Sequence, residues 1–161
     1  TDLKWHYTTG ECFYQAFRDG YLRPAHESTC RKHEKPVVWF SSNPVFEATA
    51  CKGIIHPRTG MRRTLTFAEH VAYPDGLVRI GVAAEAAPLN FRAIVYYTGM
   101  KRQHARGLAK RAYEMGADPA DWWGATQPVP RSHWLTIERW TIDPWEPLRM
   151  QNKERATWKS N

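Results

Sequence analysis

The sequence predicts one α+β domain built on a mixed or antiparallel β-sheet with helices at its margins. Three observations carry that reading. The 161 residues are about one domain's worth of chain, and 42% hydrophobic with 13% aromatic residues, eight of them Trp, is enough to fill one sizeable core. Short β-branched and aromatic runs alternate irregularly with short helical segments that carry their own start and stop residues. There is neither a regular βαβ period nor a glycine fingerprint, so a doubly wound parallel sheet is not expected, and no internal repeat breaks the chain into modules. Residues 1–161 are read as a single domain, with about 145–161 a polar C-terminal tail.

The first strand is predicted over Leu3 to Tyr7 and stops at Thr8-Thr9-Gly10. Thr8 and Glu11 have capping-box spacing, Phe13, Ala16 and Phe17 fall at i, i+3 and i+4, and Gly20 supplies the left-handed exit from that helix. Pro24 to Pro36 is polar and of mixed charge, hence a surface loop, and Val37 to Ser41 is the next strand. Asn43-Pro44 reads as an N-cap and first position for a short helix carrying Phe46 and Ala50. Thr66 to Glu69 repeats the capping-box spacing, and Pro74-Asp75-Gly76 is turn chemistry ahead of a strand over Leu77 to Ala83. Thr98 is placed to cap the longest helix, with Ala105, Leu108, Ala109, Ala112 and Tyr113 as its apolar stripe and Gly116 its exit; Lys101, Arg102, Arg106 and Lys110 make the other face basic. Asp118-Pro119 opens a single turn that reaches Trp122-Trp123, and Trp134 to Trp140 alternates as a strand.

Composition limits the partners. A net charge of +7, from 23 Lys and Arg against 16 Asp and Glu, favours polyanions such as nucleic acid, dinucleotides or acidic protein surfaces, and equally serves solubility. No apolar run approaches the roughly 18 to 20 residues that cross a bilayer, and Thr1 to Tyr7 has no leader character, so no membrane association is expected. Three cysteines in unlike contexts, Cys12, Cys30 and Cys51, imply no disulfide framework, which fits a reducing cytoplasm. His26, Cys30 and His33 have zinc-compatible spacing without a fourth ligand, and a polar loop is the favoured reading, with no metal.

Three segments occur in an order that has chemical sense. His6-Tyr7-Thr8 closes the first strand and leads through a helix to Gly20-Tyr21-Leu22; Val38-Trp39-Phe40-Ser41-Ser42 precedes a segment containing Phe46; Trp134-Leu135-Thr136-Ile137-Glu138 is a late strand bearing a glutamate. Together they resemble the ADP-ribosyltransferases, small single-domain bacterial or phage members of the His-Tyr-Glu type in particular, across most of the chain. The resemblance implies an ADP-ribosyltransferase-like split sheet and NAD as the substrate. His6 would bond a hydroxyl of the adenosine ribose, the Tyr7 backbone within His6-Tyr7-Thr8 would hold the nicotinamide carboxamide, Trp39 or Phe40 would wall its ring, Ser41 would support it, and Glu138 would bond the nicotinamide ribose. Breaking a glycosidic bond passes through a cation-like sugar, so an anion, a ribose anchor and an aromatic slot are what the chemistry needs.

The pattern departs from the family at Trp39, where tyrosine is usual, and at Thr136, where the arginine-modifying members carry Glu or Gln. Arginine is therefore disfavoured as the acceptor. The aromatic that stacks on nicotinamide stays open among Trp39, Phe40, Tyr14 and Tyr21. The expected activity is mono-ADP-ribosyl transfer to a macromolecule, nucleic acid slightly ahead of protein, in a toxin or phage–host conflict setting that would bring a cognate antitoxin or inhibitor. Lys101, Arg102, Arg106 and Lys110 are the candidate nucleic-acid contacts, while Trp122-Trp123 reads as core. The alternatives are NAD glycohydrolysis, an RNA 2′-phosphotransferase-like reaction using Arg23, Arg62 and Arg63, and a non-catalytic nucleic-acid-binding or inhibitory module on the same fold.

Overall fold

The computed structural model describes residues 2–25, 30–141 and 144–148. In chain order its elements are β1 (Lys4–Thr9), α1 (Gly10–Asp19), β2 (Tyr21–Leu22), β3 (Val38–Ser41), β4 (Gly53–Ile55), β5 (Arg62–Thr64), α2 (Phe67–Ala72) and β6 (Leu77–Val82). There follow β7 (Leu89–Asn90), α3 (Phe91–Thr98), α4 (Arg102–Glu114), β8 (Trp122–Ala125), β9 (Val129–Pro130), β10 (Trp134–Trp140) and β11 (Trp145–Pro147). The α+β class is as the sequence predicts.

Seven strands form one sheet in the order β11-β10-β6-β1-β3-β8-β7, and each of these neighbouring pairs is antiparallel. Antiparallel pairing needs no long crossovers, which is why helices as short as these suffice to connect it. Period-two alternation then divides the side chains between two faces. Val78, Ile80 and Val82 of β6 point with Val38 and Phe40 into a core closed by Phe13 and Phe17 of α1 and by Trp134. Trp5, Tyr7 and Arg79 occupy the opposite face.

The sheet is weakest at its centre. β6 runs in register with β1 along all six residues of β1, yet β1 and β3 share a single register pair, Trp5 with Ser41. Beyond it the two strands part, and a cleft opens between them.

Local sequence explains most element boundaries. Thr66 and Glu69 complete a reciprocal capping box at α2, and Asp118 caps the 3-10 turn Pro119–Asp121. Gly20 leaves α1 at φ 86° as expected. Four boundaries differ. Thr9, one residue later than expected, caps α1 through the Cys12 amide, because Thr8 is held in the ladder opposite Val78. Asn43 caps no helix: its Oδ1 accepts from the Val45 amide in a turn, and Glu47 instead caps a short 3-10 turn, Ala48–Ala50. Thr98 ends α3 and donates back to the Ile94 carbonyl, so α4 begins after it from Lys101, whose side chain makes no cap bond; Tyr113, expected in its apolar stripe, is 65% exposed. Trp145–Pro147, read as the start of a polar tail, pairs with Glu138 to Trp140 as an edge strand, because Trp145 finds an aromatic seat described below; residues 149–161 lie outside the described residues.

Candidate functional site

The cleft between β1 and β3 encloses about 270 Å³ and is walled by Trp5, His6, Tyr7, Trp39, Phe40 and Ser41 together with Glu47, Lys52, Arg111 and Trp122. Five of the six residues expected to bind the dinucleotide thus meet in one place. The sixth, Thr8, is buried beside Val78 and does not line it.

The split in the sheet gives His6 its character. Where a continued ladder would pair the Trp39 carbonyl with a backbone amide, His6 Nδ1 bonds it at 2.8 Å. A carbonyl only accepts, so Nδ1 carries the proton and Nε2 is left as a lone-pair acceptor. Burial pushes the imidazole down to about 4, with the Trp39 bond opposing and the Lys52 charge assisting, so the ring is neutral at physiological pH. Nε2 has no partner among the described residues and is not sealed from solvent. It is an unused acceptor on a residue of the cleft wall.

Aromatic side chains form much of the wall. Phe40 belongs to the core and touches the His6 ring edge-on at 5.7 Å. Half-buried Trp39 lines the cleft and makes a T-shaped contact with Trp122 at 5.9 Å. Tyr14 packs against the core and Tyr21 is an exposed β2 residue beneath Arg23, so neither lines the cleft. Ser41 is buried and donates to Glu47 Oε2 at 2.9 Å; Trp122 Nε1 and the Thr49 amide and hydroxyl donate to Glu47 Oε1.

Glu138 stands outside this wall. Register sets Glu138, Arg79 and Tyr7 side by side on β10, β6 and β1, facing the same way. Arg79 donates through Nε to Glu138 Oε2 at 2.7 Å and again through Nη2, while Nη1 reaches the Pro44 carbonyl. Thr136 Oγ1 donates to Glu138 Oε1 at 3.3 Å. The guanidinium lies between the Trp5 ring at 3.8 Å and the Trp145 ring at 4.2 Å. Gly81 makes that sandwich possible, since a Cβ there would stand 2.9 Å from the Trp5 ring. Trp145 also meets Tyr7 and Trp140, Phe46 bridges Tyr7 to Phe67, and Trp145 Nε1 donates to the Val45 carbonyl at 2.8 Å. Burial pushes the Tyr7 hydroxyl up against the pull of Arg79, and the charges of Glu47 and Glu138 add to the rise.

The cations divide by helix face. Arg102, Arg106, Lys110 and Tyr113 recur at i, i+4, i+8 and i+11 along one exposed side of α4, with Lys101 just ahead of it. Leu108 and Arg111 turn the other way and line the cleft, Arg111 donating to Thr64 of β5 at 2.9 Å. The exposed side chains of Arg23 and Lys52 join Arg111 at the cleft's edge. Of the other arginines weighed for phosphate contact, Arg63 is held by Glu69 on the β4–β5 hairpin, where exposed Arg62 also sits. His26 lies outside the described residues, and among those described no three His, Cys, Asp or Glu residues are placed to hold a metal.

Sequence reasoning missed Glu47, Arg79 and the individual role of Arg111. Arg79 left a visible trace, as a cation on the off-beat of Val78, Ile80 and Val82. Glu47 left none, since nothing local separates it from a solvated helix residue.

The chain matches no protein-family model, no curated protein and no solved structure, so the reading of function rests on this geometry and on the motifs.

Proposed function

We propose that this protein is an NAD-dependent mono-ADP-ribosyltransferase. The observation that carries the reading is the charge layout of the cleft. Its interior is aromatic and holds a buried carboxylate, and its exposed edge holds Arg23, Lys52 and Arg111. A ligand that complements it has a flat cationic head and an anionic body, which describes the pyridinium and the diphosphate of NAD.

The chemistry then follows from the residues present. Trp39 offers the face on which nicotinamide stacks, and the neutral Nε2 of His6 accepts from a ribose hydroxyl. The bond from the ribose anomeric carbon to the nicotinamide nitrogen breaks with its electron pair leaving on nicotinamide, which departs neutral. The sugar is left cationic; an acceptor oxygen or nitrogen adds to the anomeric carbon and releases its proton to solvent. Glu138 steadies the sugar cation in this scheme, its carboxylate oriented by Arg79 and Thr136. The ADP-ribosyltransferase-like architecture is part of the same proposal, supported by the split between β1 and β3. Net charge favours nucleic acid over protein as acceptor.

The test is incubation with labelled NAD and separate pools of RNA, DNA and protein, following nicotinamide release and label transfer. Release and transfer to one pool are expected, both falling by about 100-fold or more in Glu138→Gln. Release without transfer would make water the acceptor. NAD left intact with every pool present would overturn the reading in favour of a binding module.

A further inference from the structure

The cleft holds a negative charge to which the reaction scheme gives no task. Glu47 is 6% exposed, lines the cleft, and is held on both oxygens by donors that are all neutral. The Trp122 indole and the Thr49 amide can only donate, so both favour an oxygen that carries negative charge. Four other carboxylates have a basic partner at hydrogen-bonding distance: Glu138 has Arg79, Glu69 has Arg63, Glu34 has His104 and Asp19 has Arg23. Glu47 has no ion pair among the described residues. A charge kept from water and left uncompensated is costly, and its field falls on the ligand that occupies the cavity. Around it stand the rings of Trp5, Trp39, Phe40 and Trp122. Aromatic faces beside a fixed anion attract an organic cation.

We propose that Glu47 determines specificity in the cleft, making it select the cationic form of an aromatic ring over the neutral form. Under the NAD reading, on which the identity of the natural ligand rests, this means oxidised dinucleotide over reduced. The role differs from that of Glu138. Glu47 acts on the ligand as bound, by charge, before any bond breaks.

The probes are two small molecules of nearly the same shape, the N-methylnicotinamide cation and neutral nicotinamide, titrated into the whole protein by calorimetry and tryptophan quenching. The wild type is expected to prefer the cation by about tenfold, and Glu47→Gln to reduce that preference to about twofold or less through weaker binding of the cation alone. Equal affinities in the wild type, no binding of either probe at millimolar concentration, or a preference that survives in Glu47→Gln would each overturn the assignment. The wild-type ratio needs no substitution, so equal affinities overturn the assignment even where the variant fails to fold. NAD turnover without a cation preference overturns the role of Glu47 and leaves the transferase standing; a cation preference without NAD turnover supports Glu47 and removes the transferase.

Discussion

The charges of two carboxylates, Glu47 and Glu138, both reach Tyr7, and the two groups are held in opposite ways. Glu138 is ion-paired with a guanidinium that is itself clamped between two indole rings, in a region where β6, β10 and β11 are bound by Arg79 and an aromatic cluster. Glu47 faces a cavity and receives only hydroxyl, amide and indole donors. The first arrangement orients a carboxylate, offsets part of its charge and ties three strands together. The second leaves the charge without a cationic partner and ties its own turn to Ser41 of β3 and Trp122 of β8 through neutral donors. The comparison teaches that stability and ligand selection are carried by different acids on one sheet face, and that each has its own failure when its partners are removed.

The largest effect is expected from Arg79→Met. It leaves Glu138 uncompensated and the Pro44 carbonyl without its donor, and it empties the space between Trp5 and Trp145. Removing one partner of a largely buried pair costs about 3 to 5 kcal/mol, or on the order of 10 °C in Tm for a domain of this size. Glu47→Gln keeps the shape and one acceptor oxygen and should cost only about 1 kcal/mol. Adding Glu138→Gln to Arg79→Met should recover about half of the loss, because the stranded charge is gone. Urea unfolding of the four proteins checks the set; equal losses for Arg79→Met and Glu47→Gln would abolish the distinction.

Acid separates the cleft from the loop that borders α4. His6 is pushed down to about 4 by burial, against an unfolded value near 6.5. Between those pH values the unfolded chain takes a proton that the folded chain refuses, so stability falls as pH falls, by roughly 3 kcal/mol in all, and levels off below. Glu34 is also depressed: burial acts to raise it, but the His104 bond, the Arg31 amide and the His104 and His33 charges outweigh that. Its contribution is present above the ordinary carboxylate value of 4.5 and is lost as pH drops below it. Two successive acid losses are therefore expected in urea midpoints measured from pH 7 to 3. His6→Gln should shrink the upper one to the part left by His70, which burial and the Lys52 charge also push down, and spare the lower; an unchanged upper loss would mean that His6 is not held neutral by the cleft.

What could be read from the sequence was whatever depends on near neighbours. The strands at His6, Trp39 and Ile137, the capping box at Thr66 and the left-handed Gly20 each follow from residues within a turn or two. Gathering His6, Trp39 and Ser41 into one cleft was legible as well, through the order of motifs. Glu47 was not, because its indole donor is 75 positions away, at Trp122. The same holds for Trp145, which reads as tail until Arg79 supplies a cation for its ring. Thr98 and Asn43 were misplaced for a smaller reason: a side chain suited to capping serves equally well in a turn or at a helix end, and the strand and helix around it decide.

The smallest effect is expected on the outer face of α4, and it sharpens the division between charge that faces the ligand and charge that faces solvent. Arg102, Arg106 and Lys110 share an exposed stripe, whereas Arg111 lies across the helix in the cleft wall. Replacing all three stripe residues by alanine should change stability by less than about 0.5 kcal/mol per position and leave NAD consumption within about twofold, since a helix diameter of roughly 10 Å and solvent screening stand between them and the cleft. Nucleic-acid affinity should fall, with the dependence of log K on log salt shrinking by about 2 to 3 where three phosphates lose their partners. Arg111→Ala should do the reverse, raising KM for NAD by about five- to tenfold while leaving the salt slope nearly intact. Steady-state kinetics and salt titrations of the two variants check the pair. If the stripe variant lost NAD consumption while Arg111→Ala kept it, the two faces of α4 would have to exchange roles, and the anionic body of the ligand would lie outside the cleft.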